Sequence, residues 1–291
     1  MNFARAARQW VAAPPGPGRL DWPLPRGRAT GSVGGMKILL IHGHPFDHTL
    51  WDPQAAALRA AGHEVITPDL RGYGESPMDV SDITLLSDFA DDLAAAFEGT
   101  AIIGGVSMGG QIAMEFYRRY PSRVAGLFLA DTSPVGETPE GHRYRNELAD
   151  RLLAEGMSGY ADEVLDQMIT PAHVTTQPEV AAHVRRMMLA TAPRGAAAAL
   201  RGRAERPDYQ KTLSGVRVPT LIVVGAQDAY TPVRDAQLIH ELIPGSELIV
   251  VDEAGHLPGL EAPAEVNAAL LTFLATHFPA EALVTHFPAE A

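Results

Sequence analysis

The chain predicts an α/β fold: a mostly parallel sheet of at least six strands, flanked by helices and carrying an inserted helical segment. Two observations predict it. Four short apolar runs alternate with helical patterns before residue 135, and two more follow residue 215. Such alternation marks parallel strands joined by crossover helices that cover both faces of the sheet. Between the fourth and fifth runs, residues 133–215 hold no strand-like run and are rich in Ala, Leu, Met, Arg and Glu, so they read as helices.

In chain order the strands are expected at Lys37 to Ile41, Glu64 to Thr67, Ala101 to Val106, Ala125 to Ala130, Thr220 to Val224 and Glu247 to Val251. The crossover helices are expected at Pro53 to Ala61, Leu86 to Phe97, Gln111 to Tyr120, Val233 to Ile243 and Pro263 to Thr276, where length and apolar spacing suit them. Residues 36–132 and 216–276 then make the core, with 133–215 inserted between its halves. Residues 1–35 carry five arginines against one aspartate and several Pro and Gly, so no hydrophobic period survives and a flexible extension is expected, with Met36 a candidate natural start. Thr276 to Ala282 recurs as Thr285 to Ala291, and 277–291 is expected to be a tail outside the fold carrying a local duplication.

Composition bounds the function. A chain of 291 residues with 46% hydrophobic content buries one large core with room for an insertion. A formal net charge of −12 opposes nucleic acid and anionic membrane surfaces as partners, since both need a basic footprint. The absence of cysteine rules out disulfides and cysteine-ligated zinc. No apolar run approaches the roughly 20 residues that span a bilayer, so a soluble protein is expected, cytoplasmic by default, as a monomer or homodimer.

Chemistry concentrates at Gly105-Val106-Ser107-Met108-Gly109, between the apolar run Ala101-Ile102-Ile103 and the helical pattern from Gln111 to Phe116. A serine on a strand-to-helix turn this tight is held at the strand tip, and the flanking glycines leave space that side chains would fill. Downstream, Leu221 to Gly225 runs into Asp228, and Leu248 to Val251 runs into His256, in the order serine, acid, histidine. A serine hydroxyl needs a histidine to take its proton and a carboxylate to orient the imidazolium. Ser107, His256 and Asp228 are the candidate nucleophile, base and acid, with Asp131, just past the fourth run, a competing acid. Asp252 lies too close along the chain to His256 to orient it and reads as structural. His42 and His48 read as turn or surface residues rather than metal ligands.

With these residues in view, the stretch from Met36 to about Ala275 resembles the α/β-hydrolase superfamily. Ile41-His42-Gly43-His44-Pro45 is similar to its H-G-x-P turn, and Asp69 to Ser76 to its D-x-R-G-x-G-x-S structural loop. The resemblance implies an oxyanion hole from the backbone N–H groups of His44 and Met108, and a helical cap at 133–215 that shapes the substrate pocket. Within the superfamily, His42 to Pro45, Gly105 to Gly110 and Ala130-Asp131-Thr132-Ser133 resemble the branch of 3-oxoadipate enol-lactonases, small carboxylesterases and metal-free haloperoxidases or perhydrolases. His44 stands where that branch carries an aromatic residue, which weakens any transfer of substrate.

The reading is a serine hydrolase of a small-molecule ester or lactone, working through an acyl-enzyme and requiring no metal or organic cofactor. A serine at the elbow argues against dehalogenase and epoxide hydrolase chemistry, which use aspartate there. A tailoring lyase, cyclase or C–C hydrolase on the same triad, a peracid-forming side activity and a non-catalytic ligand receptor stay open. Met157, Met168, Met187, Met188, Leu152, Leu165 and Leu189 are the apolar residues of the insertion, a few of which should face substrate. An anionic substrate would want an arginine, for which Arg143, Arg145, Arg185 and Arg186 are candidates.

Overall fold

The computed structural model describes residues 35–279. The expected flexible extension up to residue 34 and the second copy of the C-terminal duplication lie outside the described residues. The strands are β1 (Lys37–Ile41), β2 (Glu64–Ile66), β3 (Ala101–Val106), β4 (Val124–Ala130), β5 (Thr220–Gly225) and β6 (Glu247–Val251). They form one all-parallel sheet in the order β2-β1-β3-β4-β5-β6. β2 stops one residue short of expectation because Pro68 follows Thr67 and has no N–H to continue the ladder.

Helices α1 (Asp52–Ala60), α2 (Leu86–Ala96) and α3 (Met108–Arg119) connect the first four strands. Six helices follow between β4 and β5: α4 (Pro139–Glu155), α5 (Ser158–Met168), α6 (Pro171–Thr176), α7 (Pro178–Ala190), α8 (Pro193–Ala204) and α9 (Gln210–Leu213). α10 (Val233–Leu242), α11 (Pro258–Glu261) and α12 (Pro263–His277) complete the chain as described. α3 begins three residues earlier than the sequence suggests, directly after Ser107, because Gly109 and Gly110 are poor helix formers that disguise its first turn.

The alternation of side chains explains why the strand sequences read as unbroken apolar runs. Ile38 and Leu40 enter one core with Trp51, Leu58, Phe128 and Phe273, under α1 and α12. Leu39 and Ile41 enter the other with Phe89, Ile112, Phe116 and Leu127, under α2 and α3. Burying each such side chain contributes about 1.5–3 kcal/mol, so a charge on either face of β1 would be costly. The described part of the expected tail, residues 277–279, packs on the fold and does not lie outside it as expected. His277 ends α12 with Nε2 2.6 Å from Glu247 Oε1, and Phe278 packs edge-on against Phe273 at 6.0 Å. The carboxyl ends of the strands share one rim, and the motif residues follow them there.

Candidate active site

β3 passes into α3 through Ser107, whose backbone sits at φ 56° and ψ −118°. That positive φ costs a non-glycine residue about 1–3 kcal/mol and persists only where the surroundings enforce it. Here the Ser107 N–H donates to Ala130 O at 3.0 Å, while the Thr132 hydroxyl and the Gln111 N–H donate to Ser107 O at 2.8 and 3.1 Å. A Cβ at Gly105 would lie 2.2 Å from the Gly109 carbonyl, and one at Gly109 would lie 2.1 Å from Ile41 O. The elbow closes only with glycine at both positions.

His256 Nδ1 lies 2.9 Å from Asp228 Oδ2. Asp228 Oδ2 also accepts the Thr231 hydroxyl at 2.6 Å, and Oδ1 accepts the N–H groups of Tyr230 and Thr231 at 2.8 and 3.1 Å. Burial alone would raise the Asp228 pKa, but the His256 charge and these hydrogen bonds outweigh it and hold the carboxyl below its usual value. An ionised Asp228 requires the proton on Nδ1 of His256, which leaves Nε2 as the acceptor. Asp131 is drawn into the same cluster, with ligand atoms of Asp131, Asp228 and His256 within 4.8 Å of one another. Its Oδ1 accepts the Gly225 N–H at 2.9 Å, and its Oδ2 has no partner among the described residues. Burial first, then the Asp228 charge, push the Asp131 carboxyl well above the carboxylate range. The geometry therefore favours Asp228 over Asp131 as the acid on histidine. Asp252 is exposed.

Among the described residues no protein acceptor engages the His44 or Met108 amide, and Met108 is the first residue of α3, where helix amides lack intrahelical partners. The His44 side chain is buried, with Nδ1 2.8 Å from the Tyr73 hydroxyl and Nε2 without a partner among the described residues. Burial, reinforced by Arg203 and Arg145, holds His44 well below the usual histidine pKa and therefore neutral. His42 lies at the turn after β1, as expected, but not at the surface. It is fully buried, its Nε2 accepts the Leu70 N–H at 3.0 Å, and Nδ1 therefore donates to Gly43 O at 2.8 Å, pinning the loop after β2 to the turn after β1. Asp69 anchors that loop by accepting from the N–H groups of His48 and Glu75 at 2.7 and 2.8 Å.

Ser107, His44 and His256 open on a cavity of about 230 Å³. Gln111, Leu148, Tyr160, Met168, Leu200 and three arginines, Arg145, Arg203 and Arg206, line it as well. Tyr144 and Tyr230, both substantially exposed, contribute aromatic surface, and the Tyr230 ring sits 5.2 Å from the His256 ring.

The model of the alpha/beta hydrolase family matches residues 38–269. The chain belongs to the alpha/beta hydrolase family. It is 30% identical over 241 residues to the pimeloyl-[acyl-carrier protein] methyl ester esterase of Neisseria meningitidis serogroup B (strain H44/76), covering 80% of this chain and 90% of that protein. It is 27% identical to 3-oxoadipate enol-lactonase 1 of Acinetobacter baylyi, over 75% of this chain and 80% of the enzyme. Among solved structures, a thermophilic esterase from Thermogutta terrifontis superposes with a TM-score of 0.81 at 37% identity, covering 85% of this chain and 92% of that one.

Of the arginines singled out in this alpha/beta hydrolase, Arg145 alone lines the cavity. Arg143 pairs with Glu140, Arg185 with Asp162, and Arg186 approaches His183, all at the surface. The sequence reading omits Arg203, near the end of α8, and Arg206, two residues beyond that helix, which line the cavity without a local sequence signal that sets them apart from other basic residues. Of the apolar candidates Met168 reaches the cavity, whereas Met157, Met187, Met188 and Leu152 are buried in the core and Leu189 is exposed. A second omission is Glu261, buried in α11 beyond the histidine loop. Its Oε1 accepts the Gly255 N–H at 2.8 Å, and its Oε2 accepts the Thr170 N–H and lies 2.8 Å from His173 Nδ1.

Two groups of side chains bring three metal-ligand atoms together among the described residues. One is Asp131, Asp228 and His256. The other is Asp47, His48 and Asp69, whose carboxylates already accept from Thr49, His48 and Glu75. In both, protein hydrogen bonds already engage the carboxylates, Asp131 Oδ2 excepted.

Proposed function

We propose that this α/β-hydrolase is a serine enzyme acting on ester bonds, cleaving a carboxylic ester or lactone of a small molecule through an acyl-enzyme. One observation carries the reading: a serine held in a strained backbone at a strand tip opens on the same cavity as a histidine whose far nitrogen is fixed by an ionised aspartate. Ester-hydrolysing relatives support it at the level of reaction class.

Ser107 Oγ attacks the carbonyl carbon while His256 Nε2 takes its proton, and Asp228 stabilises the imidazolium that forms. The free amides of His44 and Met108 receive the negative charge on the carbonyl oxygen, each donor being worth about 3–4 kcal/mol in such sites. Collapse of the tetrahedral intermediate breaks the bond to the alkoxide, which receives the proton from His256. Water then enters along the same path, giving its proton to His256, and the acid leaves with Ser107 restored. The Ser107 proton thus departs with the alcohol, a proton from water returns through His256 to Ser107 Oγ, and no metal or organic cofactor is required.

The experiment is intact-protein mass after exposure to a small fluorophosphonate, with turnover of short p-nitrophenyl esters measured in parallel. A single adduct is expected on the wild type and none on Ser107→Ala, with kcat falling by about 10⁴ or more. An adduct and turnover that persist in Ser107→Ala would overturn the assignment. A folded wild type without adduct or turnover would favour a ligand receptor instead.

A further inference from the structure

The cavity wall carries more positive charge than the chemistry of ester cleavage needs. Glu137 ion-pairs with both Arg145 and Arg206. Asp235, the acidic residue lining the cavity, has Arg234 3.9 Å away. Arg203 is placed differently. Its Nε donates to Gln111 Oε1 at 3.2 Å, and no carboxylate comes within ion-pairing reach of it among the described residues. Its two Nη groups, the flat fork that matches a carboxylate, have no protein acceptor there either.

The fork is held in position. Gln111 belongs to the first turn of α3, next to Ser107, so the bond to Arg203 ties the guanidinium to the nucleophile's own helix. The Thr84 N–H donates to Ala198 O at 3.0 Å and ties α8 to the loop before α2. Burial first, then the charges of Arg145 and Arg206, push Arg203 well below the usual guanidinium pKa. A guanidinium keeps its proton in a protein, so Arg203 stays charged there. Arg203 is half-buried at the cavity wall, where a charge without a partner is unfavourable. The buried neutral His44 beside it supplies no negative charge.

We propose that the substrate is an ester or lactone bearing a second, ionised carboxylate, which Arg203 receives as a bidentate pair while Ser107 faces the scissile carbonyl. This rests on the serine-hydrolase reading above. The planar fork suits the two oxygens of a carboxylate, and Arg145 and Arg206 add attraction for the same charge. The carboxylate sits on the acyl side or the alcohol side of the bond, and paired substrates distinguish the two.

The test compares kcat/KM of the full chain within matched pairs. Mono-p-nitrophenyl glutarate against p-nitrophenyl pentanoate places the charge on the acyl side, and γ-acetoxybutyrate against butyl acetate places it on the alcohol side. One anionic member is expected to be preferred by at least about tenfold, because a site built around a charged fork leaves it unpaired with a neutral analogue. Arg203→Met should collapse that ratio by at least about tenfold, and Arg203→Lys should restore part of it, since an ammonium keeps the charge without the fork. Glutarate should inhibit hydrolysis of the neutral ester competitively in the wild type, with Ki raised at least about tenfold in Arg203→Met. Turnover of neutral esters with no anionic preference in either pair and no inhibition by glutarate would overturn the inference while leaving the serine hydrolase intact. A preference that survives Arg203→Met would remove Arg203 from it. Absence of both turnover and fluorophosphonate labelling would instead overturn the underlying reading. If Arg203→Met does not fold, the wild-type pairs, glutarate inhibition and Arg203→Lys decide.

Discussion

Two aspartates converge on His256, and their environments assign them opposite protonation states. Asp228 has four donors on its two oxygens and is ionised, whereas Asp131 has one donor and lies against the Asp228 charge. Asp228→Asn should therefore lower kcat by about 10³–10⁴, since an amide leaves the imidazole in the wrong tautomer. Asp131→Asn keeps an oxygen for the Gly225 N–H and should change kcat little. A carboxyl whose folded pKa is raised contributes stability that is fully present below its unfolded value and is lost as pH rises through the folded value. Replacing Asp131 should consequently raise the melting temperature at about pH 8, by about 2–4 °C for a gain near 1 kcal/mol, with a smaller gain at about pH 5. Kinetics and thermal melts of the two variants check the pair, and reversed kinetic effects would make Asp131 the acid.

At the scale of elements, the histidine loop depends on a contact between distant segments. Glu261 in α11 holds the Gly255 amide on one side and Thr170 and His173, at the start of α6, on the other. Glu261→Gln exchanges one acceptor oxygen for a donor facing groups that need an acceptor, so a loss of about 2–4 kcal/mol is expected. Turnover should drop by about 10- to 100-fold as His256 loses its fixed position. Denaturant unfolding and kcat measure both, and an unchanged kcat would show that the loop is set by Asp228 alone. This contact marks where the sequence stops being legible. Ser107, Asp228 and His256 could be read because each follows an apolar run that can only be a buried strand, so the strand tips bring them to one rim. Glu261 and Arg203 sit on helices whose local pattern says nothing about what lies across from them. Their roles arise from the packing of α11 against the α5–α6 turn and of α8 against α3, between residues nearly a hundred positions apart. The burial of His42 is illegible for the same reason, since its partner, the Leu70 amide, is supplied by another loop.

For the whole molecule, the parallel sheet buries not only its apolar runs but also histidines that are neutral when folded. Burial lowers the pKa of His42, His44 and His63. A histidine depressed in this way contributes stability that is present above its unfolded value of about 6.5 and is lost as pH falls through the folded value, because the unfolded chain takes the proton first. His48 works in the opposite direction: burial pulls it down, but the hydrogen bond and charge of Asp69 outweigh this and raise it, so its contribution is present below about 6.5 and lost on raising the pH. His48 is partly exposed and stands against three depressed groups, of which His42 and His44 are fully enclosed, so the depressed set dominates. The melting temperature of the full chain should be nearly level between about pH 7 and 8 and fall by several degrees, roughly 1–2 kcal/mol or more, between about pH 6.5 and 5. The depressed carboxylates Asp228, Glu137 and Asp208 act only at lower pH, below their unfolded values near 4, and do not blur this window. Repeating the melts in Asp131→Asn removes the buried carboxyl that opposes the trend, and the fall should then steepen. A melting temperature that stays level down to about pH 5 in both proteins would mean that these histidines gain protons without unfolding the chain, and that the loops holding them yield locally first.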